Sequence, residues 1–306
     1  PRLDHPLSLP CGQSMVAPMD QALGPGLYIV ATPIGNLGDL SRRAVTVLGA
    51  VAAVACEDTR VTGKLMQHVG VKARLIRYDD HASDATRDYI VALAAEQAVA
   101  LVSDAGTPLI SDPGYALVRA ARAAGRPVFT IPGPCAAIAA LSVSGLATDR
   151  FVFAGFLPAK SAARRASFET LKQEPRTAIY YESTHRIEDS LDDLVAVLGP
   201  ERRVCLAREL TKRFEQSITL PAEELRRWQR EDPNRGRGEF VLIVEGAPEA
   251  ADDGEAERVL RLLLAELPAS RAARLAAEIT GAAKKPLYQL ALKLAGDAAD
   301  DAPESA

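Results

Sequence analysis

The sequence predicts an α/β protein made of two compact units followed by a short helical segment. Short apolar runs alternate with segments of helical period along most of the chain. Turns rich in glycine and proline fall at the ends of those apolar runs. The length, 306 residues, exceeds what a single hydrophobic core ordinarily fills. Strand–helix alternation of this kind builds a parallel sheet covered by helices on both faces.

The first unit is expected at residues 26–133. Residues 27–31 form a buried-strand run ending in the turn 32–39. Ser41 is expected to cap a short helix that carries Val45 and Leu48 on one face. Residues 52–56 read as a second strand ending in Glu57 and Asp58. Thr59 is expected to cap the next helix and Gly70 to stop it. Residues 73–77 are a third strand, 83–97 a longer helix and 99–102 a fourth strand that opens into the loop 103–114. A helix to Gly125 and a strand at 127–131 complete the unit.

The second unit is expected at 134–247. It starts with a small-residue helix at 134–144 and a strand at 151–154, followed by an arginine-rich helix at 160–173 and a strand at 177–181. Residues 184–198 place Ile187, Leu191, Leu194, Val195 and Leu198 at the spacing of a one-sided helix. Strand-like runs at 203–207, 214–220 and 240–244 have no helix between the first two, which suggests a mixed sheet with a hairpin. A polar linker at 246–254 leads to helical patterns at 257–267, 269–280 and 284–294, a small appendage taken as 255–296. Residues 1–25 read as a loose leader and 297–306 as an acidic tail.

An apolar fraction of 48% and a charged fraction of 25% belong to an ordinary globular protein. No apolar run approaches the roughly 20 residues of a membrane span, and the leader lacks the basic start and apolar core of a secretory signal. The expected location is the cytoplasm, with no membrane partner. Cys11, Cys56, Cys135 and Cys205 are far apart and form no metal-binding spacing, so free thiols and no metal site are expected. The net charge of −4 does not announce a nucleic-acid partner. Basic residues nevertheless gather in the second half, from Lys160 to Arg237, so a local phosphate-binding surface remains open.

In a parallel sheet, ligands bind at the carboxyl ends of strands. The unusual loops of this chain fall at such ends: 32–39, Glu57-Asp58-Thr59-Arg60, 103–114 and 131–134. Proline and glycine there shape the backbone and admit close approach of a ligand. The dinucleotide fingerprint, the P-loop and the serine elbow are all absent from the sequence. The residues themselves point to a site for a small ligand built from carboxylate and backbone.

The ordered series A-T-P-I-G-N-L-G-D, E-D-T-R, V-S-D-A-G-T-P-L-I-S-D-P-G, I-P-G-P-C-A, Y-Y-E-S-T-H-R and A-R-E-L-T-K resembles the ribosomal RNA small subunit methyltransferase I family. The likeness spans about 27–244; the helices beyond follow the family's helix-turn-helix-like appendage more loosely. The loop Tyr78-Asp79-Asp80-His81-Ala82-Ser83 keeps the family's polarity but not its residue order. The resemblance implies a two-lobed fold of the tetrapyrrole methylase type (class III methyltransferase) with a small C-terminal helical appendage. It implies S-adenosyl-L-methionine as cofactor and 2′-O-methylation of a cytidine in small-subunit ribosomal RNA, either naked or in the assembled subunit. It also implies a homodimer.

On that resemblance Pro33, Gly35, Asp104, Gly106, Thr107, Pro132, Gly133 and Ala136 are assigned to the cofactor. Asp104 is singled out because it is expected to end a buried strand, where a carboxylate is costly; capping the next turn is its alternative. Glu57, Glu182 and His185 are the candidate catalytic groups, with Asp58 and Glu209 also considered. His185 is expected one turn into a helix. Glu57 and Asp58 serve equally well as acidic residues at a helix start. Arg186, Arg208 and Lys212 are candidate phosphate contacts, with surface ion pairs to Glu209 and Glu215 as the other reading, and Arg60 is either a further phosphate contact or an ion-pair partner of Glu57 and Asp58. Phe156 and Tyr181 offer either base stacking or core packing, and Arg164 and Arg165 either an RNA footprint or plain surface. Two other functions stay open: a methyltransferase of the same fold acting on a tetrapyrrole or protein side chain, and a non-catalytic RNA- or ribosome-binding module.

Overall fold

A computed structural model describes residues 23–248 and 253–300, without the side chains of 253–254 and 295–300. The leader up to residue 22, Cys11, residues 249–252 of the linker and residues 301–306 of the tail lie outside the described residues. Cα packing divides the chain into two units.

The first unit reaches to Val143 and also takes in Ala207–Ser217. The boundary drawn on the sequence at 133/134 therefore differs from this division, and the segment 207–217 returns to the first unit from far along the chain. Its elements are β1 (Gly26–Val30), α1 (Arg42–Ala50), β2 (Ala53–Cys56), α2 (Thr59–His68), β3 (Arg74–Arg77), α3 (Asp84–Glu96), β4 (Ala98–Val102), α4 (Tyr115–Ala123), β5 (Val128–Ile131) and α5 (Ala136–Val143). The five strands form one sheet in the order β3-β2-β4-β1-β5, and every pairing is parallel.

Side chains alternate across this sheet, as the twofold strand period requires. Tyr28, Val30, Val54, Cys56, Ala100 and Val102 face α1 and α2, which contribute Val47, Leu48 and Met66. Leu27, Ala53, Ala55, Val99 and Leu101 face α3 and α4, which contribute Ile90, Ala94, Leu117 and Ala121. Both faces are covered, which is why these strands read as continuous apolar runs. Ser41 caps α1 by accepting from the Ala44 amide at 3.1 Å. The cap of α2 is Asp58, not Thr59: its carboxylate accepts from the Arg60 amide at 2.8 Å, and Thr59 is the first helical residue. A carboxylate at the helix start accepts that amide and also places its charge at the positive helix end.

The second unit holds β6 (Phe151–Phe156), α6 (Ser161–Thr170), β7 (Thr177–Glu182), α7 (Ile187–Leu198), β8 (Arg203–Arg208) as far as Leu206, β9 (Gln216–Pro221) from Ile218, α8 (Ala222–Arg230) and β10 (Phe240–Val244). Strand order is β6-β7-β10-β8-β9. β6 pairs parallel and β10 antiparallel with β7, so the sheet is mixed as expected. Phe168, Ile187, Leu191, Leu194 and Leu225 bring α6, α7 and α8 onto Tyr180, Leu206 and Leu242 of the sheet. Helices α9 (Asp253–Leu264), α10 (Ala269–Thr280) and α11 (Lys284–Asp300) have their own small core of Leu260, Ala272, Ala273, Ala276, Leu287 and Ala291. α11 runs on through positions 297–300, which were assigned to the tail on sequence. Cys56 and Cys205 are buried free thiols, and Cys135 is half-buried and free. No helix among the described residues is long and apolar enough to cross a membrane.

Candidate active site

Strand order sets the site in the first unit. β2, β4, β1 and β5 are consecutive neighbours and all parallel, so the turns leaving their carboxyl ends share one edge. Those turns are bonded to one another. The Thr32 amide donates to Gly106 O at 2.8 Å and the Gly106 amide returns a bond to Thr32 O at 3.1 Å, joining the β1 and β4 turns. The Thr32 hydroxyl adds a bond to Ser103 O at 3.2 Å. Thr107 Oγ1 donates to Pro134 O at 2.9 Å and ties the β4 turn to the β5 turn. Asp104 Oδ1 accepts from the Asp58 amide at 3.1 Å and ties it to the β2 turn.

The glycines in these turns are needed for backbone reasons. Gly106 has φ +81°, and a Cβ there would press to 3.3 Å from Ile34 Cγ2. A Cβ on Gly133 would come to 3.0 Å from that of Ala31, at the end of β1. Leu109 (φ 74°) and Ser111 (φ 64°) hold left-handed conformations in the β4 turn. Such a conformation costs a non-glycine residue about 1–2 kcal/mol, and strain of this kind persists where surrounding contacts impose it, often at ligand sites.

The segment 207–217 completes the same edge. The Asn36 amide donates to Thr211 Oγ1 at 3.2 Å. The Lys212 side chain lies over Gly35, where a Cβ would fall 2.5 Å from Lys212 Cγ. Two more left-handed residues, Glu209 (φ 49°) and Thr211 (φ 65°), sit in this segment.

The turns after β2, β3 and β4 enclose a cavity of about 590 Å³ with Glu57, Asp79, Asp80 and Asp104 on its wall. Arg60 pairs with Asp58 and Arg77 with Asp79 at its rim. Burial raises the Glu57 pKa, and the neighbouring carboxylates Asp104, Asp112, Asp80 and Asp79 add to the rise. Burial likewise raises Asp112 to about 6, against a hydrogen bond from Ser103 and with Asp104 and Asp80 reinforcing the shift. Asp58 is held far below the usual carboxylate range by its hydrogen bonds from Arg60.

Of the residues assigned to the cofactor, Pro33, Gly35, Asp104, Gly106, Thr107, Pro132, Gly133 and Ala136 all lie on or next to these turns. Asp104, however, is not the buried strand-end carboxylate expected from the sequence. β4 ends at Val102, Ser103 is the buried polar residue at 3% exposure, and Asp104 itself is exposed. Its carboxylate is therefore not in a costly apolar setting; it braces the Asp58 amide and faces the acidic cavity.

The catalytic candidates separate. Glu57 faces the cavity. Glu182 lies in the second unit and is 2% exposed. Its Oε1 accepts from the Ser183 amide at 2.7 Å and Arg186 Nε at 2.9 Å, and its Oε2 from Ser190 Oγ at 2.5 Å. Buried and accepting these three bonds, the Glu182 carboxylate holds the corner between β7 and α7. His185 is exposed in the turn before α7, not one turn into the helix, because α7 starts only at Ile187.

Among the basic candidates, Arg186 is half-buried and pairs with Glu182, and Arg208 is 7% exposed and donates to Gln216 at 2.7 Å. Lys212 pairs with Glu209 at 3.0 Å. Arg60 donates through Nε and Nη2 to Asp58, the ion pair that was its other reading, while its side chain stays 86% exposed. Arg164 is buried against Asp193, and Arg165 shares that carboxylate with its side chain 54% exposed. Tyr181 packs edge-on between Phe153 and Phe156, whose far side is open to solvent. Sequence reading missed Thr32, whose partners Ser103 and Gly106 lie 71 or more residues away, and Asp112, which meets Ser103 and Asp104 across its own turn and Asp80 of another. It also missed Phe214, just past the A-R-E-L-T-K motif and 64% exposed.

Residues 26–226 match the family model for tetrapyrrole (corrin/porphyrin) methylases, and residues 250–295 match the RsmI C-terminal HTH domain. The chain is 56% identical over 273 residues to ribosomal RNA small subunit methyltransferase I of Escherichia coli O157:H7, covering 88% of this chain and 96% of that one. It is 53% identical over 275 residues to the protein of the same name from Pseudomonas aeruginosa, covering 88% and 98%. Among solved structures, a diphthine synthase superposes with a TM-score of 0.54 at 14% identity, over 72% of this chain and 89% of that one, a likeness of fold alone. These matches agree with the turn motifs and with the parallel sheet that presents them. The chain belongs to the tetrapyrrole methylase family of S-adenosylmethionine-dependent methyltransferases, within its ribosomal RNA small subunit methyltransferase I branch.

Proposed function

We propose that the chain transfers a methyl group from S-adenosylmethionine to the ribose 2′-hydroxyl of a cytidine in small-subunit ribosomal RNA. The substrate comes from the name its relatives carry. The observation that carries the site is the set of cross-bonds from Thr32 to Gly106, Thr107 to Pro134 and Asp104 to Asp58, which fixes the turns of one sheet edge against each other.

The residues present suit the donor. Glycine at 35, 106 and 133 keeps the main chain approachable, and an exposed carboxylate at Asp104 suits a cationic ligand. Pro33, Gly35, Gly106, Thr107, Pro132, Gly133 and Ala136 would shape the cradle and Asp104 would set its charge. A sulfonium held there would supply an electrophilic methyl group and a neutral thioether as leaving group. The chain's own tasks are to orient the acceptor oxygen, exclude water and receive the hydroxyl proton. Glu57 is the proton acceptor in this reading, since burial and neighbouring carboxylates raise its basicity. Arg60 is the phosphate contact, by its exposure at the cavity rim. The working form is a cytoplasmic homodimer; the exposed Phe129 on edge strand β5, with Ile138 and Val143 on α5, supports self-association.

The test is transfer of labelled methyl to small-subunit ribosomal RNA and to assembled subunits, followed by mapping of 2′-O-methyl sites. Asp104→Ala is expected to weaken donor binding by calorimetry. Glu57→Gln is expected to lower kcat by about 100-fold or more with donor affinity kept. Label on a base instead of a ribose would reject the reaction, and full activity of Glu57→Gln would reject the base.

A further inference from the structure

The segment 207–217 carries an aromatic side chain that the site described so far does not use. Phe214 is 64% exposed, one of the most open large apolar side chains among the described residues. The Arg213 guanidinium lies over its ring, 5.5 Å from the centroid. A lone exposed phenylalanine is ordinary on a protein surface. This one stands on a backbone locked by several independent bonds.

The Thr211 amide donates to Glu215 Oε2 at 2.5 Å, the Lys212 amide to Glu209 O at 3.0 Å, and the Glu215 amide to Lys212 O at 3.1 Å. The left-handed conformations at Glu209 and Thr211 cost energy and are held all the same. The turn is anchored to the donor-binding loop through Thr211 Oγ1 to the Asn36 amide and through Lys212 over Gly35. Phe214 is thus presented rigidly, two residues from the lysine that roofs Gly35. A flat, exposed ring backed on one face by the Arg213 guanidinium matches what single-stranded RNA needs: a π-face for a base with a cation beside it.

We propose that Phe214, backed by Arg213, is a stacking platform for an unpaired base of the substrate RNA, setting the register of the strand at the donor loop. This rests on the RNA-substrate reading above. It makes Phe214 a specificity and positioning residue, not a catalytic one. Stacking adds the same stabilisation to bound substrate and transition state, so its loss should appear in KM rather than kcat.

Phe214→Ala is therefore expected to raise KM for the RNA about tenfold or more, with kcat and donor affinity unchanged. Phe214→Tyr is expected to restore KM, which a merely structural role for an exposed ring would not require. An unaltered KM in Phe214→Ala would overturn the proposal. An independent readout is Phe214→Trp fluorescence, corrected for Trp228, on titration with a short unstructured oligoribonucleotide. Quenching supports the platform and its absence overturns it. If the unmutated chain methylates no RNA, the substrate reading fails in the first assay while this second one still decides the platform.

Discussion

At the scale of single residues, the acidic character of the cavity matters more than any one carboxylate. Asp112 in the β4 turn is raised by burial to about 6 from the ordinary 3.8. A carboxyl with a higher pKa in the folded chain than in the unfolded one binds more protons when folded, between those two values. Folding stability attributable to Asp112 therefore falls as pH rises from about 4 to about 6. Above that window the ionised, partly buried group is a standing cost. Asp112→Asn should remove this part of the pH dependence and leave the chain at least as stable at pH 7.5, measured by urea melts across pH 4–8. A steeper slope in the variant would contradict the assignment. Little of this was visible beforehand: the S-D-P-G turn was recognised, but the burial of its aspartate depends on Ser103, Asp104 and Asp80 meeting in space. The engagement of Glu182 was hidden for the matching reason, since Y-Y-E-S-T-H-R shows a carboxylate after a strand but not that Ser190, eight residues on in α7, donates to its second oxygen.

At the scale of elements, α6 and α7 are held by polar as well as apolar contacts. Asp193 on α7, 4% exposed, receives Arg164 Nε at 2.8 Å, Arg165 Nε at 2.6 Å and Ser161 Oγ at 2.9 Å, all from α6. Arg164 is itself 3% exposed. Truncating Asp193 would strand a buried guanidinium, so Asp193→Ala should cost about 3–5 kcal/mol in chemical denaturation. The double variant Asp193→Ala with Arg164→Met should recover a large part of that loss. No recovery would mean that the pair is not the unit that matters. Helix positions here were legible from spacing, because Ile187, Leu191 and Leu194 do face the core. The buried arginine was not legible: spacing marks apolar faces, and a charged residue beneath a helix is revealed only by its partner.

At the scale of the whole molecule, the chain contains cores of different kinds. Each sheet has its own, and α9, α10 and α11 close a small one around Leu260, Ala272, Ala273, Ala276 and Leu287. A chain ending at residue 248 should therefore keep its main unfolding transition within a few degrees and keep donor affinity. Loss of cooperative unfolding would show that the appendage supports the sheets. If the appendage serves RNA, methylation of assembled subunits should fall more than donor binding. The sequence by itself determined the alternation of strand and helix, the parallel first sheet, the mixed second one and the glycine- and proline-rich turns at strand ends. Those follow from local period and local backbone limits. Only the tertiary structure decided that 207–217 folds back onto the first unit beside Gly35, that Asp104 is an open brace, and that Glu182 and Arg208 are internal. The physical reason is that hydrogen bonds and burial join residues far apart in the chain, and periodicity carries no record of which distant group will satisfy which.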